Sequence, residues 1–503
     1  MSLTTKVSLL SGATAIILTG AAFGATPSSS NDMQARLAAA EAKIAELSSQ
    51  QDADWLTEQR SEEIREIVQD VLADADTRAS LQGSGMSAGY DNGFVISSSD
   101  GKWKLRINGL LQNRWVLSHD KTPNTPLNGA ALADAIANGT WVAGPNGSLP
   151  PNYGNQTNNG FETTRAAINL SGDIAGDYYF NMRLDWSPYN TTNDTAAQYA
   201  AAGLGAGLVA AATPNTGISD NVLEWAYGGI RDAMGTGMDI EIGRQKYDVM
   251  RGFIVNAEYQ QAIERSLYTY FWGTTNVTNG IKVKYANDNF RMNVMYSNAG
   301  QDFGNGANSA YFTNAANWAF SGRAELLMAG TWDQFNQISS TPGEEMGLLL
   351  GVGAAYLDSD ENVFPFSNRS DWQITGDLSL QMGGWDLMGS ITYGDSSAST
   401  NSNPWGFEIG GGMYLNDDVQ LYGRYQWLDP GYGNLFGQSA DLNMLTIGAN
   451  YYLAGNNAKL SVDWSWSFDQ VVALGSGYGY TNWLPSGNNG GEWMLRTQLQ
   501  LMF

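Results

Sequence analysis

Lys104, Arg106 and Arg114 occupy even positions in a stretch whose odd positions hold Trp103, Leu105, Ile107, Leu111 and Trp115. Successive side chains of a strand point to opposite faces, so the three cations share one face and the apolar residues the other. Arg183 and Asp185 alternate in the same way with Met182, Leu184 and Trp186, Arg424 with Tyr425 and Trp427, and Asp463 with Val462 and Trp464. Arg165, Lys282, Lys284, Arg291, Arg323, Glu325 and Arg496 fall on the same polar face. Fixed charges on one face of a sheet make and break no bonds. They attract, repel and order ions and polar solutes beside them.

Bond-making chemistry has few residues to work with. The chain has no Cys, and its one His is His119. Thiolate or imidazole metal sites and His-based triads are therefore nearly excluded within a single chain. No nucleophile–base pair, carboxylate dyad of defined spacing or phosphate-cradling Gly loop stands out, so neither an enzyme nor a bound cofactor is expected. Asp358-Ser359-Asp360-Glu361-Asn362 offers oxygen ligands but lacks the Gly and downstream Glu of an EF-hand, and reads as a solvated acidic loop with no metal.

One long connection, 247–279, combines Arg251, Glu258, Glu264 and Arg265 with Tyr259, Tyr268, Tyr270, Phe271 and Trp272. A loop so mixed in charge and rich in aromatics is expected to fold back inside the sheet and narrow the space there. The competing expectation is an exposed surface loop.

These residues need a frame. From about residue 94 to the end the pattern is alternation, and it divides into sixteen candidate strands. They lie at 102–117, 162–172, 177–187, 221–231, 237–246, 280–286, 290–298, 317–328, 345–357, 372–382, 385–394, 405–415, 419–428, 442–454, 458–469 and 492–503. Short and long connections alternate, and the link after 317–328 is less tidy than the other short ones. That asymmetry predicts an antiparallel transmembrane β-barrel with both termini at the short-turn end. The closing strand puts Trp493, Leu495, Leu499, Leu501 and Phe503 on one face and Met494, Arg496, Gln498, Gln500 and Met502 on the other. Sixteen strands enclose too much space for side chains to fill, so the interior is expected to be wet and the apolar face to meet lipid. A sealed apolar centre would argue against transport. The inward bases are nearly balanced by acids that include Glu224, Asp239, Glu241, Asp377, Asp386, Glu408 and Asp469.

Residues 1–24 read as a signal peptide, with Lys6 before an apolar run and small residues at Ala22 and Gly24. No later run approaches the 18 or so apolar residues of a spanning helix. Residues 31–80 lack Gly and Pro, and Met33, Leu37, Ala40, Ile44 and Leu47 step as an a/d seam, which predicts a coiled-coil helix. Residues 81–93 read as a Gly/Ser linker, and 94–503 as the barrel. The net charge of −24 argues against any nucleic-acid partner.

Three segments resemble the phosphate-selective porin O and P family: Phe161–Gly172 with Gly176–Phe180, Ile242–Tyr247 leading to Ile263–Leu267, and Glu492–Leu501. The resemblance covers roughly 95–503. It implies a homotrimeric outer-membrane porin that passes ions and small hydrophilic solutes by diffusion, the family's phosphate preference resting on clustered Arg and Lys in the pore. Outer-membrane lipid is the expected surround, and the coiled coil would contact the periplasm or cell wall. The alternative is a binding or adhesion barrel acting through its long extracellular loops.

Overall fold

The computed structural model describes residues 39, 41–42, 85–119, 157–186, 223–273, 277–298, 316–359, 369–397, 403–431, 441–469, 471, 482–483 and 490–503. Contacts divide the chain into Met1–Gly85 and Met86–Phe503. In the first unit Ala39, Glu41 and Ala42 are helical. The signal segment and the rest of the coiled-coil expectation lie outside the described residues.

The second unit is a closed barrel. Its sixteen strands run β3 (Lys104–His119), β4 (Thr157–Ile174), β5 (Tyr178–Asp185), β6 (Leu223–Ile230), β7 (Met238–Lys246), β8 (Val277–Ala286), β9 (Phe290–Ser297), β10 (Trp318–Ala329), β11 (Gly347–Ser359), β12 (Arg369–Met382), β13 (Trp385–Ser396), β14 (Trp405–Tyr414), β15 (Val419–Asp429), β16 (Leu442–Tyr452), β17 (Ala458–Ser467) and β18 (Trp493–Met502). Each pairs antiparallel with the next. The ring closes where Trp493 to Met502 pair with His119 to Leu110. Closure leaves no exposed sheet edge along the wall.

Turn chemistry explains the tight ends. Gly383 and Gly384 both take positive φ, 57° and 95°, as a two-residue hairpin turn requires. Asn287 accepts from the amides of Asn289 and Phe290 through Oδ1, and Asn416 does the same for Asp418 and Val419.

Two short strands precede the ring. β1 (Met86–Tyr90) pairs with β2 (Phe94–Ser98), and β2 pairs with residues 104–107 of β3. Met86–Tyr90 was expected within the linker; it is a strand because Phe94 to Ser97 find a free stretch of β3 to pair with. That stretch begins where β18 stops, at the mutual backbone bonds of Gly109 and Phe503. The rings of Phe94 and Phe503 lie 5.8 Å apart at this junction.

The faces separate as alternation requires. Ile242, Ile281, Val294, Val352, Ile374, Ile391, Ile409, Ile447 and Leu499 are exposed on the outside. Gln112, Arg165, Glu241, Arg323, Asp377, Gln420, Asp463 and Arg496 are buried inside. Three bulges modify the pattern, one of them in β10, where Met328 is the extra residue between Leu327 and Ala329. Thr164 is the extra residue between the pairs Gln112↔Arg165 and Asn113↔Thr163, and Glu224 is extra between Trp225 and Leu223. A bulge re-aims the side chains around it. That lets Glu162 and Arg165, an odd number of residues apart, both reach the interior.

Candidate functional site

The loop after β7 lies inside the cylinder. It forms a helical turn α1 (Arg251–Ile254), a 3-10 turn at Ala257–Tyr259 and a helix α2 (Leu267–Gly273). It bonds inward-facing residues all the way round. Glu264 meets Arg114 and Arg165, Glu258 meets Arg183, and Arg323 donates to the Val249 carbonyl. Across the lumen, Gln261 donates to Asp386, Asn450 to the Gln261 carbonyl, Lys459 to the Gln260 carbonyl and Gln500 to the Glu258 carbonyl. A segment that touches strands from β3 to β18 in a closed ring can only be within it.

Apolar residues anchor it on one side. Tyr247, Met250, Phe253, Leu267, Tyr268, Phe271 and Trp272 pack with Leu428, Leu442, Met444, Trp483 and Met494. Tyr268 is fully buried; its hydroxyl bonds Thr392 (2.6 Å) and Ser390 (3.0 Å), and its amide donates to Gln426 (3.0 Å). This corrects the expectation of a uniformly wet interior. The inward positions near the loop ends of β15, β16 and β18 are apolar because helix α2, not water, covers them.

Ion pairs hold the loop along the adjoining arc of wall, β3 to β5. Glu264 is 2 % exposed. Its carboxylate accepts from Arg165 twice (2.9 Å each), Arg114 (3.1 Å) and Tyr270 (2.7 Å). Burial alone would raise the Glu264 pKa, but the Arg165 and Arg114 guanidiniums outweigh it and hold the carboxyl well below its ordinary value. Glu258 is also lowered: burial opposes its charge and Arg183 more than compensates. Arg183 pairs with Glu224 as well (2.9 Å) and lies 5.1 Å from the Trp225 ring.

Four buried or half-buried cations are held differently. Arg265 donates to the carbonyls of Gly252 (3.1 Å) and Val255 (2.7 Å), and Lys246 to the Ile254 carbonyl (3.3 Å) and the Asn256 side chain. Lys459 uses the Gln260 carbonyl (3.0 Å). Arg251, 1 % exposed, donates to Ser379 Oγ and to the carbonyls of Phe335 and Gln337. Among the described residues none of the four has a carboxylate within 4.0 Å. Backbone carbonyls solvate these charges without cancelling them. A polar cavity of about 30 Å³ lies on this side, its lining including Arg165, Arg183, Asp185, Glu224, Lys246 and Glu258. A second, of about 10 Å³, lies between Arg265, Arg424 and Arg496. Both are water-sized.

Several other wall charges form ion pairs with neighbouring residues. Arg323 makes a fork to Asp377 (2.7 and 2.8 Å) and also meets Glu325, which Arg291 shares. Arg496 forks to Asp463 (2.7 and 2.8 Å). Lys282 meets Asp248 at 2.5 Å, Lys284 meets Glu241 at 2.6 Å, and Arg424 lies 3.8 Å from Glu408. Asp185 is buried and accepts from the Ala166 amide at 3.4 Å. Lys104 and Arg106 lie at the short-turn end, apart from the loop, and Arg106 pairs with Asp91 of the β1–β2 hairpin at 2.7 Å. Lys246, Lys459, Gln260 and Gln261 were not singled out from sequence. Each sits where a loop carbonyl or carboxylate meets it, which no local pattern encodes.

No protein-family model matches the chain, and no curated protein matches it in sequence. Solved structures resemble the barrel at low identity. The anion-selective porin from Comamonas acidovorans is 11% identical over 80% of this chain and 100% of that one, with a TM-score of 0.48. Salmonella typhi OmpF in complex with daunomycin is 12% identical over 83% and 100%, at 0.47. The outer-membrane channel DcaP of Acinetobacter baumannii is 9% identical over 82% and 100%, at 0.46. Likeness this distant carries no functional argument, and the barrel assignment rests on the strand registers themselves.

Proposed function

We propose that the chain is an outer-membrane porin, a passive channel narrowed by its inward loop. The carrying observation is a closed cylinder with apolar residues outside and charged residues inside, threaded by a loop that leaves a charged, polar cavity. A lipid-facing belt and a wetted charged lumen together suit diffusion of ions and small hydrophilic solutes. Export by the signal segment, a homotrimer, and periplasmic contact through residues 31–80 belong to the same proposal.

We further propose a preference for anions at the narrowing. Lys246, Arg251, Arg265 and Lys459 have no carboxylate within 4.0 Å among the described residues, whereas Glu258 and Glu264 are each paired directly with arginine. This local excess opposes the net charge of −24, which sits mostly outside the strands. Single-channel recording in a salt gradient tests both parts. Conductance steps with a reversal potential of anion-selective sign are expected.

The water-sized cavities favour a second reading, a plugged barrel that binds or adheres through its long loops. Absence of any conductance from reconstituted protein would decide for it.

A further inference from the structure

The turn between β10 and β11, residues 330–346, is the longest at its end of the barrel and does not stay outside it. Its Phe335 is buried against the inward residues Leu327 and Leu349. From there the segment runs beneath the loop. Gln381 of β12 donates to the Gln337 and Ile338 carbonyls (3.1 Å each), Ser340 donates its amide to Asp386 of β13 (3.3 Å), and Asn456 bonds the Gln337 side chain (2.9 Å).

Three contacts join this segment to the inward loop, one of them the Gln261 side-chain amide donating to Ser339 Oγ at 3.5 Å. The Ile338 amide donates to the Tyr259 carbonyl (3.2 Å). Arg251 donates Nη2 to the Phe335 (2.8 Å) and Gln337 (3.3 Å) carbonyls and Nε to Ser379 (2.8 Å), with its guanidinium 5.4 Å from the Phe335 ring. Burying a cation with no carboxylate beside it is costly, and the planar fork is the group that can repay this by bonding several fixed acceptors at once. A residue needed only to fill space there would be apolar.

We propose that residues 330–346 form a prop that supports the constriction loop from the short-turn end, and that Arg251 is the positioning residue through which the prop sets the width of the passage. This rests on the porin reading above. The loop is thus held from two sides, by wall residues at its flanks and by a turn from the opposite end of the barrel beneath it. The prop has no need of any bound group.

The test uses the full-length protein in planar bilayers, with amide exchange at residues 256–263 followed in parallel. Arg251→Gln and Phe335→Ala should each raise single-channel conductance about twofold by letting the loop sag and speed exchange there, with the heat-induced shift of the barrel on gels unchanged. The double variant should add little to the larger single effect, since both cut the same support. Arg251→Lys, which keeps charge but loses the fork, should fall between wild type and Arg251→Gln. Open channels with wild-type conductance and exchange in both single variants would overturn the prop and leave the porin reading intact. If wild type does not conduct, the porin reading fails and exchange alone judges the prop: faster exchange in both variants supports it, unchanged exchange overturns it. If Arg251→Gln yields no folded barrel, Phe335→Ala decides by the same two measurements.

Discussion

Two adjoining arcs of the barrel wall hold the same loop by opposite means. Toward β15, β16 and β18, helix α2 packs Leu267, Tyr268 and Phe271 against Leu428, Met444 and Met494. Toward β3, β4 and β5, the loop presents Glu264 and Glu258 to Arg114, Arg165 and Arg183. The apolar side excludes water and fixes depth without directionality. The ionic side fixes position by geometry and keeps a polar gap open beside it. A loop held by grease alone would seal the barrel, and one held by ion pairs alone would compete with water at every contact. The contrast teaches that a narrowed channel needs both, on different arcs of the wall.

Removing the clasp should break that comparison most. Glu264→Gln leaves Arg114 and Arg165 buried without their shared carboxylate, a loss of roughly 3–5 kcal/mol of loop docking. Conductance should rise, and the reversal potential should move further toward anions. Emptying the other side comes next. Tyr268→Ala opens a cavity in the apolar cluster at about 3 kcal/mol, read as a lower denaturation midpoint in detergent and noisier open channels, with the sign of ion preference unchanged. Tyr268→Phe separates packing from hydrogen bonding: only the bonds to Thr392 and Ser390 are lost, about 1 kcal/mol, measured by the same midpoint.

Lys246→Gln should leave the midpoint nearly unchanged and reduce the anion preference in the reversal potential, since it removes a charge that carbonyls merely solvate. The smallest effect is expected from mild acid. Glu264 has a pKa lowered from 4.5 in the folded barrel. Its stabilisation is therefore present above the ordinary value and is lost only as pH falls through the lower, folded one. The Glu264 clasp should hold from neutral pH to about 5, read as unchanged amide exchange at residues 264–266, whereas its loss within that range would contradict the pairing.

Much of the frame was legible in the sequence. Alternation placed Arg183 and Asp185, and Asp463 and Arg496, on the inner face, and all sixteen expected strands overlap observed ones. The expected inward turn of the loop was read from the mixture of charge and aromatics in 247–279, and its described residues do lie inside. The charge partners were not legible. Glu264 meets Arg114 from 150 residues away and Gln261 meets Asp386 from 125. The bulges at Thr164 and Glu224 have no local signature either, and each changes which neighbour faces inward. The β1–β2 hairpin hid in a Gly/Ser stretch because its strands exist only through the β3 edge they complete. In the 330–346 link, Trp332 and Phe335 within a turn were the available hint of inward folding.

A period of two is a property of the chain itself, because each residue's direction follows from its predecessor's. Sequence alone therefore determined the sixteen strands of the ring and, away from the bulges, their faces. Which wall cations meet the loop, and which are left to carbonyls, depended on a segment crossing the lumen to residues far away in the chain. Only closure of the ring puts those groups within bonding distance, so the tertiary structure alone decided where the barrel is sealed and where it stays polar.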